Sequence, residues 1–370
     1  MPVSHRRLVL GAALLISLIV AATMLRLALE WRQALADIDA MIVTPAPIDL
    51  PVVQSGIPSD QSPRSALPQA APDQSAARAA PPAALSGPAA ATADEPPGLS
   101  TATLNILLLG TDARAEDSGP PRTDALVLVR IERDSGRVSM LSIPRDLWVS
   151  YPSGGEGRIN AAYAIGEKRF GPGGGATLAK STVGRLVGVE VDHFVLINFR
   201  GFETLIDQLG GIEVDVPETI YDPAYPTEDY RTIEVRFEAG RQRLNGQQAL
   251  IYTRTRHADS DFGRNQRQQL VLMAIFERIR ERGLLQQLTS LDDYTRALRG
   301  YVRTDLSRSR MLEIAGFARS IDGDTILRYA IDSRSVVNLR APATFAAEPG
   351  ALKRLVSQFT GQAVSTAGGQ

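Results

Sequence analysis

From Leu104 onward, apolar residues recur at two different spacings, and the alternation between them predicts the elements of a folded domain. Leu104-Asn105-Ile106-Leu107-Leu108-Leu109 is a nearly continuous apolar run closed by Gly110-Thr111-Asp112. It reads as a strand buried on both faces, with a polar residue leaving its carboxyl end. Arg122-Thr123-Asp124 follows a Gly-Pro loop and opens a second strand, Ala125 to Glu132. A turn at Asp134-Ser135-Gly136 gives the hairpin partner, Arg137 to Ile143, which ends in Pro144-Arg145-Asp146. His193 to Phe199 and Ile212 to Val216 read as further strands, Arg236 to Leu244 as an edge strand with a turn, and Thr325 to Ile331 as the last strand. Helical spacing marks Ala176 to Val187, Gly201 to Gln208, Leu270 to Arg282, Leu306 to Ser320 and Ala351 to Phe359, while Tyr221 to Arg231 is a polar, Pro-rich excursion. Strands that alternate with helices in this way imply a three-layer α/β/α domain with a mixed central sheet.

The pattern before Leu104 is different. His5, Arg6 and Arg7 close a short tail, residues 1–7, and precede an uncharged run from Leu8 to Leu25. As a helix that run is about 27 Å long, close to the thickness of a bilayer core. Positive charge on its N-terminal side keeps that end in the cytoplasm and places the folded domain outside. A cleaved signal peptide is the competing reading, with Val20-Ala21-Ala22 as a cleavage site, but the run is long for a signal and apolar periodicity continues through Trp31. Residues 44–103 change to Pro, Ala, Ser and Gln, which cannot bury enough apolar surface to offset the ordering entropy. They read as a disordered tether of about 40 Å average span. The expected partition is therefore a cytoplasmic tail, a transmembrane helix at 8–25, the linker at 44–103, a core at 104–282 and a C-terminal helix and strand extension at 283–360.

Composition narrows the chemistry. Of 370 residues, 44% are hydrophobic, enough for a real core, and the net charge of -1 excludes the basic excess expected of a nucleic-acid binder. The absence of cysteine removes disulfides and thiolate chemistry. His193 and His257 are not spaced as a metal site, no nucleophile elbow occurs, and the glycines from Gly171 to Gly175 lack the Gly-Lys-Ser of a phosphate loop.

What remains is a concentration of arginine and aspartate. Ile251 to Thr255 reads as a short strand rich in β-branched and aromatic residues, so Arg254 and Arg256 project together roughly 6.6 Å apart. Two guanidinium forks at that spacing suit a diphosphate or a pair of carboxylates. Asp259 and Asp261 follow in a turn, Asp261 caps a helix starting near Phe262, and Arg264 and Gln268 share one face of its first turns. A solvated arginine-rich loop is the bland alternative to an anion site. Asp112, Asp124 and Arg145 stand at the ends of three consecutive strands, where ligands bind open α/β sheets. Asp112 and Asp124 suit a hard divalent ion, or else act as turn and cap residues.

The same residues resemble the LytR–CpsA–Psr proteins of bacterial cell envelopes. The resemblance is carried by Leu107 to Asp112, Arg122-Thr123-Asp124, Ser142 to Asp146, Arg158 to Tyr163, Asp207 to Ile212 and Tyr252 to Gln269. It covers about Leu104 to Arg282, and its order and spacing are specific together although no single motif is. The resemblance implies an enzyme that moves a glycopolymer phosphate from a polyprenyl-pyrophosphate carrier to peptidoglycan, held at the cell membrane by a single N-terminal span. It further implies magnesium, with manganese as an alternative, at Asp112 and Asp124. Arg122, Arg145, Arg254, Arg256, Arg264 and Gln268 would bind the pyrophosphate, and Arg158 stands where the family commonly has lysine. Asp146 and Asp259 are the candidate bases beside Arg145 in the reacting centre. A regulatory protein that only binds lipid-linked polymer, and a hydrolase that admits water in place of sugar, are the two alternatives.

Overall fold

The computed structural model describes residues 29–30, 32–48, 102–112, 119–227, 231–255, 261–281, 291–339 and 344–362. β1 (Thr103–Thr111), β2 (Thr123–Glu132) and β3 (Arg137–Ser142) form an antiparallel meander. β4 (Trp148–Ser150) and β5 (Glu156–Arg158) make a small hairpin, followed by α1 (Ala162–Phe170) and α2 (Gly174–Val187). β6 (His193–Asn198) then returns parallel to β1. α3 (Phe199–Gln208) starts directly behind it because the Asn198 side chain accepts the Gly201 N–H at 2.9 Å. β7 (Ile212–Val216), β8 (Ile220–Pro226), β9 (Thr232–Phe237) and β10 (Gly240–Leu244) form two ribbons, β7 with β10 and β8 with β9. α4 (Gly246–Arg254), α5 (Asp261–Glu281) and α6 (Leu291–Leu298) lead to β11 (Val302–Thr304) and α7 (Arg308–Ala318). β12 (Leu327–Ala330), the ribbon of β13 (Val336–Asn338) with β14 (Phe345–Ala347), and α8 (Pro349–Thr360) complete the described chain.

The central sheet runs β11-β6-β1-β2-β3-β12, with β6 parallel to β1 and β12 parallel to β3. It is the mixed sheet expected from the sequence. Strand alternation sends Leu107, Leu109, Leu126, Leu128 and Leu141 to one face, where they meet Leu178 and Val183 of α2 and Leu352 and Phe359 of α8 in the main core. The other face is covered in parts. Leu104, Ile106 and Ile131 take Ile314 and Phe317 of α7. A separate core joins Ile206 of α3 and Leu209 just after it, Val214 of β7, Tyr252 of α4 and Val271 and Ile275 of α5, and it contains no residue of the central sheet. The space between that second core and the sheet is where the site lies.

Several expectations need correcting. Ile251 to Thr255 is not a strand, because the helix α4 runs through Arg254. A capping box starts it: the Asn245 side chain accepts the Gln248 N–H at 2.8 Å, and the Gln248 side chain accepts the Asn245 N–H at 3.0 Å. The β-branched residues are tolerated there, since Thr253 donates back to the Leu250 carbonyl at 2.9 Å. The first part of the expected excursion, Tyr221 to Pro226, is instead most of strand β8, which pairs with β9 and buries Ile220, Asp222 and Tyr225. Arg236 to Leu244 belongs to two strands, and Thr325 to Ile331 is followed by two more. Nor does the core stop at 282: β11 and β12 are the two edges of the central sheet, and Ile331, Phe345 and Phe359 are in its main core.

The segment before the linker is also part of the body. Residues 32–41 are helical, and Ala34 and Asp37 are 1% exposed. Arg299 reaches Asp37 at 3.2 Å, and Arg308 grips both oxygens of Asp39. Ile42 bridges to Thr304 beside β11, and the Thr177 hydroxyl donates to the Ala46 carbonyl at 2.9 Å. Residues 44–48 therefore belong to the described body, so the linker expected from 44 does not begin there. The apolar run Leu8 to Leu25 and residues 49–101 lie outside the described residues.

Two tests follow from this packing. Gly173 has φ 86°, and a Cβ there would come within 2.5 Å of the Thr44 carbonyl, whereas Gly171, with φ 79°, has open space around it. Gly173→Ala and Gly171→Ala should each lose about 1–3 kcal/mol from backbone strain. Only Gly173→Ala should expose residues 42–48 to limited proteolysis, and equal protection in both variants would refute the contact. The second test concerns Asp305, which accepts Lys180 Nζ at 2.6 Å and the Phe194 N–H at 2.8 Å, beside His193 Nδ1 at 3.4 Å. Burial pushes its carboxyl up, but the contacts with His193, Lys180 and Phe194 outweigh burial and hold it below the ordinary range. Its folded value is thus depressed, so its contribution is present above the unfolded carboxyl value of about 3.9 and is lost as pH falls through the folded value. Asp305→Asn should cost about 1.5–3 kcal/mol at neutral pH, and the gap from the parent in denaturant titrations should narrow as pH falls below the ordinary carboxylate range.

Candidate functional site

A cavity of about 550 Å³ opens where β1 ends and β2 begins. Its position is set by the register of those strands. Gly110 pairs with Ala125 and Thr111 with Thr123, so Asp124 is the extra residue of a bulge and is turned out of the ladder. Leu108, Val127 and Ile197 from the sheet form one apolar wall, and Phe199 and Phe202 of α3, Leu250 of α4 and Leu272 of α5 form the other. Asp112, Asp124, Arg145, Arg254, Arg264, Gln268 and Asp222 supply the polar lining. One space therefore joins an apolar lining to a group of cations and carboxylates.

The cations are held differently from one another. Arg145 bonds Asp124 across the cavity wall and has its Nε 3.4 Å from Asp146 Oδ2. Asp146, 6% exposed, is in turn 3.3 Å from Arg158 Nη1. Arg254 lies over the Phe199 ring at 4.3 Å and the Tyr225 ring at 5.8 Å, and its Nη1 donates to Tyr225 Oη at 3.1 Å. Arg264 is 2% exposed yet lines the cavity, and a guanidinium buried that deeply is costly without anionic company. Arg264 and Gln268 reach the same cavity because they are one turn apart on α5.

Arg267, on the other side of α5, was not singled out from the sequence. It is 4% exposed and donates from Nε to the Tyr252 carbonyl at 2.9 Å and from Nη2 to the Thr255 carbonyl at 2.5 Å. It satisfies carbonyls left open at the end of α4 and ties α4 to α5. Asp222 was missed as well, because its stretch was read as irregular. It is fully buried, lines the cavity, and accepts the Thr255 hydroxyl and the Ala224 N–H at 3.1 Å. The alternation Ile220, Asp222 and the Val235-Arg236-Phe237 pattern was the available signal for it.

The structure thus brings together Asp112, Asp124, Arg145, Arg254, Arg264 and Gln268 around one cavity. Asp146, Arg158 and Arg122 do not line it. Arg122 is exposed and lies near the Tyr151 hydroxyl, which burial pushes up and the Arg122 charge partly brings back down. Arg256 and Asp259 lie outside the described residues.

A magnesium ion asks for one or two carboxylates and completes its shell with phosphate oxygen and water. Asp112 and Asp124 fit that donor set, being two carboxylates in one cavity. No cluster of three or more metal-ligating side chains occurs among the described residues, so a cage built wholly from them is not present.

Comparison with known proteins points to one family. The LytR_cpsA_psr family model matches residues 72–352. The chain is 29% identical to the polyisoprenyl-teichoic acid–peptidoglycan teichoic acid transferase TagU of Bacillus cereus, over 57% of this chain and 63% of that protein. It is also 29% identical to the regulatory protein MsrR of Staphylococcus aureus, over 62% of this chain and 64% of that protein. The matched part therefore spans just under two thirds of these curated relatives. Among solved structures, B. subtilis TagV superposes with a TM-score of 0.56 at 26% identity, covering 70% of this chain and 98% of that one. TagT bound to LI-WTA gives 0.53 at 26% identity, covering 70% and 90%.

The corner held by Arg267 can be tested directly. Arg267→Lys keeps the charge but cannot reach both carbonyls, so thermal or denaturant unfolding should show a loss of about 1–3 kcal/mol. Unchanged stability would mean that the α4–α5 junction is held by other contacts.

Proposed function

The chain belongs to the LytR_cpsA_psr family, and on that premise we propose that it is a membrane-anchored transferase that moves a glycopolymer phosphate from a polyprenyl-pyrophosphate carrier onto peptidoglycan. The observation that carries this reading is the single cavity in which an apolar lining meets clustered arginine and aspartate. A ligand matching both has a long apolar tail and a phosphate head. The anchor is the run Leu8 to Leu25, which puts the domain on the outer side of the cell membrane, where peptidoglycan is.

Phosphoryl transfer asks the protein mainly to position reactants and to balance charge. Arg145, Arg254 and Arg264, with Gln268, hold the two phosphates, and the guanidinium forks fix their orientation. Leu108, Val127, Ile197, Phe202 and Leu272 take the first isoprene units and exclude water from that side. Asp112 and Asp124 are the residues that would hold magnesium, or manganese in its place; when bound, such an ion offsets negative charge on phosphate oxygens. Asp146, pinned between Arg145 and Arg158 and outside the lining, steadies Arg145 instead of touching the acceptor. Asp259 keeps its sequence-based role as the base that takes the acceptor hydroxyl proton.

The test is an assay of the full-length protein with lipid-linked donor, peptidoglycan acceptor and magnesium. Asp124→Ala should lower transfer at least about tenfold while leaving the folded state intact. Arg254→Lys should weaken donor binding about tenfold or more, since bidentate geometry is lost. Arg334→Lys is the control, because that side chain is 90% exposed. Full transfer in excess chelator would remove the metal from the proposal, release of polymer without attachment would make the protein a hydrolase, and tight binding without turnover would make it a regulator.

A further inference from the structure

Arg254 is the cavity arginine whose surroundings are least expected. Among the described residues no carboxylate forms an ion pair with it; its partners are the Phe199 ring at 4.3 Å, the Tyr225 ring at 5.8 Å and the Tyr225 hydroxyl at 3.1 Å. Phe199 is the first residue of α3, and Tyr225 comes from β8, so two separate elements meet on one guanidinium. The next residue is held by the same strand, since Thr255 donates to the fully buried Asp222 of β8. Two consecutive residues at the end of α4 are therefore fastened to two residues of β8, and Arg267 fastens the same turn from the α5 side.

We infer that Phe199 and Tyr225 are positioning residues that clamp the Arg254 guanidinium in a fixed plane for a diphosphate, with Asp222 anchoring the turn that carries it. The inference rests on the pyrophosphate reading of the cavity and adds to it the means of orientation. A carboxylate at the place of Tyr225 would neutralise Arg254, whereas a phenol orients it and leaves its charge for the ligand. Burial pushes the Tyr225 hydroxyl up, against the lowering effect of Arg254, so it stays protonated and uncharged at neutral pH. With one face on Phe199 and Nη1 on Tyr225, the guanidinium keeps its remaining N–H groups for an anion in the cavity.

Phe199 also lines the apolar wall, so the experiment must separate clamping from contact with a lipid tail. Affinities of the full-length protein for inorganic pyrophosphate, which has no tail, and for geranylgeranyl pyrophosphate are compared by calorimetry in magnesium. Tyr225→Phe and Phe199→Leu should each weaken both probes about threefold to tenfold, with thermal stability checked alongside. Phe199→Tyr keeps a ring face and should bind like the parent. In an Arg254→Lys background, Phe199→Leu should cause no further loss, because the clamp no longer has its guanidinium. With the lipid-linked donor, the clamp variants should raise KM more than they lower kcat. Losses confined to the tailed probe would make Phe199 a tail contact and overturn the clamp, and so would losses that multiply independently with Arg254→Lys. If Arg254→Lys itself binds both probes like the parent, or the parent binds neither, the pyrophosphate reading falls too. If Arg254→Lys is impaired and the two clamp variants are not, only this inference falls.

Discussion

Arg267 inside the domain, with its N–H groups on the carbonyls of Tyr252 and Thr255, is the contact on which the cationic lining of the cavity depends. α4 ends where those carbonyls would otherwise be orphaned, and α5 supplies the donor. Arg254 comes from the first helix and Arg264 and Gln268 from the second, so one buried guanidinium sets the relation of Arg254 to the other two. The charge of Arg267 is used up structurally. Those of Arg254 and Arg264 face the cavity.

The opposite wall depends on a different device. A regular antiparallel pairing of β1 with β2 would direct alternate residues to the two faces of the sheet, with no side chain left over at the strand ends. The slip between Gly110 and Thr111 makes Asp124 that leftover residue and aims it at Arg145. Because the second core is built from α3, α4, α5 and the strands β7 to β10 and takes no residue of the central sheet, this part of the sheet face is not sealed by it. The cavity is the space between two cores, each of which is complete without filling it.

The N-terminal segment changes how the molecule is presented to its surroundings. A helix and strand-like stretch docked beside β11, with Asp37 buried and Asp39 gripped by Arg308, belong to the domain and not to a tether. An anchor placed before that helix would then carry the domain close to the bilayer. On the proposed function, a cavity for a lipid-linked substrate would gain from such proximity, since a long flexible tether lowers the effective concentration of one end at the other.

The sequence by itself determined the sheet and its order of use. Leu104 to Gly110, Ala125 to Glu132, Arg137 to Ile143 and His193 to Phe199 alternate or run apolar strongly enough that only strands satisfy them, and the polar residues at their ends marked Asp112, Asp124 and Arg145. Four-residue spacing likewise put Arg264 with Gln268. The mistakes came where local propensity and tertiary packing disagree. Ile251 to Thr255 carries the residues of a strand, but a capping box six residues upstream and burial of Tyr252 in the second core make it a helix. β8 hides its alternation behind two prolines, and β11 is too short to announce itself until β6 offers it hydrogen bonds. Arg267 could not be told from a solvated charge in one dimension, because what distinguishes it is which carbonyls lie opposite, and only the folded chain brings those groups together.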